Sequence, residues 1–441
     1  MELDEQRPDQ PNNLLENDEL QEFLMPLNLD QNMGLRCVAD LDAEGIVFFE
    51  YYRTTYCNFV SIGLKSLNYF NKTFIGLANV CTGVAYAVTA WGGFYLELQK
   101  PRCDFTRPWT YMQKAAKAMC DEMGSELKPS SKEQLLSLFG FYLIFIGIEV
   151  CTGDIRNWRG LMNQCKDLIH SYGGPISLSH AFEDSNDIKW LLSNFCFHDI
   201  LSSHTLTVGT TFPMSEYETV VSPNLSYGID PLHGIVSPVY LIFGHIGNSK
   251  ARLGSLWEVV TEKVANNDPQ GDILREQYYE EVERVTAEIK GKIDTCHPSD
   301  THLELLGNDP KAREIHTALF QLYIFASRIQ LGTSIQKLPQ CALSQQHLLL
   351  QSFKLLDMLL VTPVKVALSL LILVCGVLCC NERDRLRMTT MFRMHLKQYE
   401  IGNLQRIEET VLEAWQLSPE GNTCLDWADL VRDKSWHLYV G

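Results

Sequence analysis

GDIRNWRGLMNQCKDLIHSYGGP, from Gly153 to Pro175, is the stretch that sets the reading of the chain. Trp158, Leu161, Met162, Cys165, Leu168, Ile169 and Tyr172 recur at steps of three and four, which is the spacing of one apolar helix face. Asp154 or Thr152 is expected to cap this helix through a side-chain oxygen, and an acid there also suits the positive end of the helix dipole. At the far end Gly173 is expected to turn left-handed and Pro175 to block continuation. Gly-Asp therefore reads as a turn and cap, not as an anion or metal site.

The same periodicity extends outward in both directions. Upstream, SSKEQLLSLFGFYLIFIGIEVCTG places Glu133 three residues after Ser130, a capping-box spacing, and then turns almost wholly apolar. Before it come GIVFFEYYRTTYCNFVSIGL, the small-residue-rich NVCTGVAYAVTAWGGFYLELQ, and a candidate helix over 104–123. Downstream follow DIKWLLSNFCFHDILSSHTL and a loop holding Pro213, Pro223 and Pro231. SPVYLIFGHIGNSKARLGSLWEVV and GDILREQYYEEVERVTAEIKGKI then read as a helical pair. PKAREIHTALFQLYIFASRIQLG, SQQHLLLQSFKLLDMLL, an apolar run after Pro363 and LQRIEETVLEAWQ complete the series. Strand-like alternation is scarce and no fixed-period repeat is present. The expected fold is all-α, one large helical array over 43–441, preceded by a disordered acidic segment over 1–42.

Charge is unevenly placed. Residues 1–50 hold 13 acidic and 2 basic side chains, a net of −11, so the remainder carries only −6 of the chain's −17. An acidic body fits poorly with binding to nucleic-acid phosphates. The cysteines are scattered, with no Cys-x-x-Cys, so no zinc site is expected. Cys151, Cys165, Cys196, Cys375 and Cys379 sit in apolar runs and read as buried thiols in a reducing compartment. The run VALSLLILVCGVLCC, Val366 to Cys380, is shorter than the ~20 residues a membrane span needs, so a buried core helix is expected and no membrane role.

No P-loop, GxGxxG, HExxH or GxSxG occurs, so no enzyme chemistry or cofactor is expected. His198 beside Asp199 invites a metal-dependent helical hydrolase, with His170, His180 and Asp230 as further ligands. Adjacent residues on a helix point about 100° apart, which sets that reading below a structural one. Asp230 in GIDPLHGIVSP reads as a turn feeding a helix. NERDRLR, 381–387, reads as a solvated, salt-bridged face at a helix end. Trp91 precedes Gly92 and Gly93 inside an apolar helix, where two glycines allow either a close helix crossing or room for a ligand beside the indole; crossing is favoured.

Taken in order, YAVTAWGGFYLEL (86–98), GIEVCTGDIRNWRGLMNQCKDLI (147–169), LLSNFCFHDIL (191–201), GIDPLHGIVSPVYLIFGHIGN (228–248), PVKVALSLLILVCGVLCCNERDR (363–385) and LQRIEETVLEAW (404–415) resemble the fungal-specific transcription factor domain of the second type. This is the regulatory region of fungal zinc-cluster activators, and the likeness is greatest to the GABA-responsive activator of yeasts. The resemblance implies an all-helical regulatory domain over 43–441 in a nuclear RNA polymerase II transcription regulator, with sensing of a small nitrogen metabolite. It implies homodimers or transcriptional co-regulators as partners. Members usually carry a six-cysteine zinc-cluster module, which this sequence lacks, so DNA is expected to be reached only through such a module or a partner. The alternative is a dimeric interaction scaffold, kinetochore-like or co-regulatory. Trp91, Trp158, His198 and Asp199 are the candidate ligand-binding residues, as polar or aromatic groups on otherwise apolar helices.

Overall fold

The computed structural model describes residues 40–63, 68–153, 156–307, 309–398 and 402–433. Among these the chain forms helices and no strand. The acidic segment 1–42 lies outside the described residues except for its last three. The Asp42 side chain accepts from the Gly45 N–H at 2.9 Å and caps α1, Ala43–Tyr51. The chain continues through a π-helical turn, Tyr52–Tyr56, into α2, Cys57–Val60, and both tyrosines are buried. α3, Tyr69–Ala78, starts on Asn68, whose side chain accepts from the Phe70 N–H.

α4, Thr82–Leu98, is buried on nearly every side and packs against α1, α3 and the two helices that follow it. A Cβ on Gly92 would stand 2.1 Å from the Phe48 carbonyl oxygen and 2.9 Å from Tyr52 Cβ, and one on Gly93 would stand 2.7 Å from the Phe48 ring. The glycine pair thus makes a close crossing with α1, the reading favoured on sequence. α5, Thr106–Met123, joins this group, and its Arg107 and Tyr111 both bind the Asp42 carboxylate.

α6, Lys132–Thr152, is long and apolar enough to cross a membrane, yet 72% of its most apolar stretch is buried inside the fold. Its cap is shifted by one residue from the expected pattern. Ser131, not Ser130, accepts from the Gln134 N–H at 3.2 Å, and Gln134 Oε1 takes the Ser130 N–H at 2.8 Å. Gln134 thereby does the work assigned to Glu133.

The Gly153–Pro175 stretch forms α7, Trp158–Ser171, with Met162, Cys165 and Ile169 buried as expected. Asn157, and not Thr152, stands at its N-cap position. Gly153 (φ +74°) ends α6, and the Thr152 hydroxyl donates back to Ile148 within α6 at 3.0 Å. Asp154 lies outside the described residues, and Asn157 precedes α7 with no side-chain cap bond. Gly153 is needed because Gly402 runs against it: the Gly402 N–H donates to the Cys151 carbonyl at 3.1 Å, and a Cβ on Gly153 would lie 2.7 Å from Gly402 C. At the other end Gly173 is left-handed (φ +89°), and the Gly174 N–H reaches the Ile169 carbonyl. Pro175 opens α8, Pro175–Ala181.

α9, Asn186–Ser203, runs through the core. α10, Met214–Val220, interrupts the proline-rich loop. α11, Ser237–Ala265, and α12, Gln270–Thr295, pack as the expected pair. Most buried residues of the pair lie in the first turns of α11 and the last of α12, whereas Trp257, Ile273 and Tyr279 towards its tip are exposed. α13, Asp300–Leu305, leads to α14, Pro310–Ser334, which Asp309 caps through the Lys311 and Ala312 N–H groups. After α15, Leu343–Leu359, the apolar run splits into a 3₁₀ turn, Pro363–Ala367, and α16, Ser369–Val377, buried at every residue. α17, Glu382–Gln398, α18, Asn403–Leu417, and α19, Trp427–Asp433, close the fold.

NERDRLR differs from its sequence reading, because it opens α17 instead of ending a helix. Asn381 accepts from the Asp384 N–H, and Asp384 is buried. Arg385 lies over the Trp415 ring and donates to the Cys379, Ser418 and Pro419 carbonyls. Only part of the segment is a solvated face; Arg387 pairs with Asp357 there.

Candidate functional site

α2, α3, α4, α6, α9, α11, α14 and α16 leave a cavity of about 90 Å³ between them, with the π-helical turn, the 3₁₀ turn and the loop residues Ile62 and Leu232 also in its wall. Trp91 supplies one side. Its indole contacts the Tyr52, Tyr56 and Phe70 rings at centroid distances of 5.5, 4.9 and 6.2 Å. Gly147 of α6 makes room for it, since a Cβ there would lie 2.2 Å from Trp91 Cζ2. Trp91 is 3% exposed and its Nε1–H has no hydrogen-bond partner among the described residues.

α9 supplies the opposite side through Asn194, Phe197 and His198. Asn194 is also 3% exposed, and its Oδ1 lacks a donor among the described residues. Burial, with His233 adding to it, holds the His198 imidazole down to about 3, so it is neutral at ordinary pH. Tyr240 and Tyr323 line the cavity with their rings while their hydroxyls donate to the Phe197 and Ala367 carbonyls. The wall is thus mostly apolar, with a few polar groups, which is the general make-up of a small-molecule site.

Of the four residues singled out by sequence, Trp91 and His198 meet at this cavity. Asp199 does not line it. It takes the Thr211 N–H at 2.7 Å, the Thr211 hydroxyl at 2.5 Å and the Tyr217 hydroxyl at 2.6 Å, tying α10 and the preceding loop to α9. Burial pushes its carboxyl up, against those hydrogen bonds. Trp158 is half-buried at the start of α7 and lies outside the cavity wall. Asn194, Tyr240 and Tyr323 were missed. Asn194 had a signal, a lone amide in the apolar run LLSNFCF; the tyrosines had none beyond their aromatic character.

The hydrolase ligand set is not assembled. His180 faces Asp184, His170 is exposed on α7, and Asp199 is engaged as described. Among the described residues no group of three or more His, Cys, Asp or Glu side chains is arranged to hold a metal ion. Asp230 belongs to a separate buried network. It accepts from the Ser193 and Tyr227 hydroxyls, each at 2.7 Å, and from the Leu232 and His233 N–H groups. Burial works to raise its pKa, but His233 and these donors hold the carboxyl well below the usual range. Ser193 Oγ lies 3.2 Å from His233 Nδ1, and Asp230 faces the same nitrogen at 3.4 Å. A Ser–His–Asp relay needs the acid and the hydroxyl on opposite imidazole nitrogens, so this is a clamp on the turn that feeds α11.

Two curated fungal proteins are similar to the chain. The chain is 26% identical over 311 residues to an uncharacterized transcriptional regulatory protein of Schizosaccharomyces pombe, covering 70% of this chain and 56% of that protein. It is 24% identical over 452 aligned positions to the transcriptional activator protein UGA3 of Saccharomyces cerevisiae, covering 91% of this chain and 79% of that one. The chain thus spans little more than half the length of the fission yeast relative. No solved structure matches it. The profile of the fungal specific transcription factor domain matches residues 47–441, from within α1 to the end of the chain, and the chain therefore belongs to that family.

Proposed function

We propose that this chain is the regulatory region of a nuclear fungal RNA polymerase II transcription regulator, and that it responds to a small nitrogen metabolite held in the cavity lined by Trp91, Asn194 and His198. It acts without catalysis, and DNA contact falls to a zinc-cluster module or a partner outside this sequence. Family membership over 47–441 supports the regulatory role. The effector reading rests on one observation: a cavity lined by eight helices has two polar side chains in its wall, each with a buried atom that lacks a partner among the described residues. Buried polar atoms without partners are rare and destabilising, and a bound molecule supplies what is missing.

The test is a tethered reporter assay. The chain is fused to a heterologous DNA-binding module in yeast, and reporter output is followed across nitrogen sources. Output that changes with nitrogen source in the wild type, and is locked by Trp91→Ala, supports the reading. A reporter that never differs from the DNA-binding module alone counts against a regulatory role. A homodimer is the second reading, favoured by Trp257, Ile273 and Tyr279 exposed along α11 and α12. Light scattering at micromolar concentration decides it: a strict monomer removes the dimer.

A further inference from the structure

Taking the cavity to be an effector site, as proposed above, its wall also selects the effector's charge. Among the described residues lining it, none is Asp, Glu, Lys or Arg. His198 is neutral there for the reason given above, and burial pushes the Cys151 thiol in the same wall up, away from its charged form. An ammonium or carboxylate placed inside would be taken from water with no counter-ion, which is strongly unfavourable. The first turn of α16 points its positive end at the cavity, where Ser369 and Leu370 reach the wall. Its partial positive charge suits a carbonyl oxygen; the last turns of α6 and α9, which bring Val150, Cys151 and Leu201 to the wall, carry the opposite partial charge and suit an N–H, and neither is the full counter-ion that an ammonium or carboxylate needs.

The polar requirements are equally specific. The Trp91 Nε1–H needs an acceptor, and the Asn194 Oδ1 needs a donor. The size is limited too: a cavity of about 150 Å³ holds a benzene, so one of about 90 Å³ suits a smaller or more polar molecule. We infer that this cavity takes an uncharged amide or lactam of roughly four to six non-hydrogen atoms, whose carbonyl accepts from Trp91 and whose N–H donates to Asn194, and that it excludes zwitterionic amino acids of similar size.

The test compares matched probes on the full chain: 2-pyrrolidinone and propionamide as neutral amides, 4-aminobutyrate as the zwitterion that closes to the former with loss of water, and butyrate as the anion. Binding is read by calorimetry and by the indole N–H resonances of the eight tryptophans. The expected result is saturable binding of a neutral amide that shifts one indole resonance, the one missing from Trp91→Phe. Neither 4-aminobutyrate nor butyrate produces that shift at the same concentration. Asn194→Leu is expected to weaken amide binding about ten-fold or more, since it removes one buried hydrogen bond. Tighter binding of 4-aminobutyrate or butyrate than of the amides overturns the charge selection while leaving the effector reading in place. Binding of none of the four leaves water as the cavity's occupant and overturns both.

Discussion

Replacing Gly92 with alanine tests the packing around Trp91 directly. The new Cβ would stand 2.1 Å from the Phe48 carbonyl oxygen and 3.0 Å from Phe48 C. That carbonyl is backbone in α1 and already accepts from the Tyr52 N–H, so it has no side-chain freedom with which to yield. Relief needs α1 and α4 to separate by about 1 Å, which in a close-packed interior is a large displacement. Separation on that scale forfeits a quarter to a half of the dispersion energy across the opened seam. Overpacking typically costs about 1–3 kcal/mol and occasionally more. Against this, alanine gains about 1 kcal/mol of helix propensity over glycine. With backbone on one side of the clash we place the net loss at about 2–4 kcal/mol. The assay is urea unfolding followed by far-ultraviolet circular dichroism, with Gly160→Ala and Gly254→Ala as controls. Nothing lies within 4 Å of a Cβ at either control site, so both should gain up to about 1 kcal/mol. If Gly92→Ala tracks the controls, the α1–α4 crossing is looser than described and the glycine pair leaves open space beside the indole.

Three further perturbations have defined signs. Trp158→Ala should lose about 1–2 kcal/mol in the same assay, below the 3–5 kcal/mol of a fully buried indole, because Trp158 is only half-buried; a loss of the full size would put it in the core. Lys250→Met should lose about 3–5 kcal/mol, because Lys250 Nζ lies 2.8 Å from the buried Asp426 carboxylate and 2.7 Å from Asp429; adding Asp426→Leu should recover much of it, and a single variant of unchanged stability would refute the pairing. Acidification should unfold the domain early. Burial holds the His198, His204 and His395 imidazoles down to about 3, 4 and 4 from an ordinary 6.5. Between those limits the unfolded chain binds protons that the folded one refuses, so stability is intact above pH 6.5 and falls as pH drops towards 4. The slope reaches up to about 4 kcal/mol per pH unit for three such groups. A urea midpoint unchanged between pH 7.5 and pH 5 would contradict this.

The sequence made the long helices legible because each is a long run that is apolar either on one face, as in α7, or nearly throughout, as in α4 and α6. α4, α6, α7, α9, α11, α12 and α14 lie where their patterns place them. The short α8, α10 and α13 were not read, since six or seven residues hold too little periodicity to separate from loop. α17 was missed for another reason: its first turn is so charged that NERDRLR read as a solvated face at a helix end and not as the start of a packed helix. The α6–α7 junction was only partly legible because Gly153 answers to Gly402, far away along the chain, and no local pattern encodes that approach. The cavity was half legible. Trp91 and His198 are conspicuous on apolar helices, whereas Asp199 is equally conspicuous and turns to the other side of α9. Which of two neighbouring polar residues faces the cavity depends on helix rotation, and that is fixed by Thr211 and Tyr217 reaching Asp199.

α11 has a mechanical consequence. Tyr240, near its beginning, forms part of the cavity wall, and the helix then runs on to Ala265. Those 25 residues amount to a rod of about 38 Å at 1.5 Å per residue. Pivoting at the cavity end by about 5° would carry the far end through about 3 Å. The exposed Trp257 rides on this arm, with Ile273 and Tyr279 beside it on α12. A displacement too small to disturb the core would thus be enlarged at the surface into one that a neighbouring protein could sense.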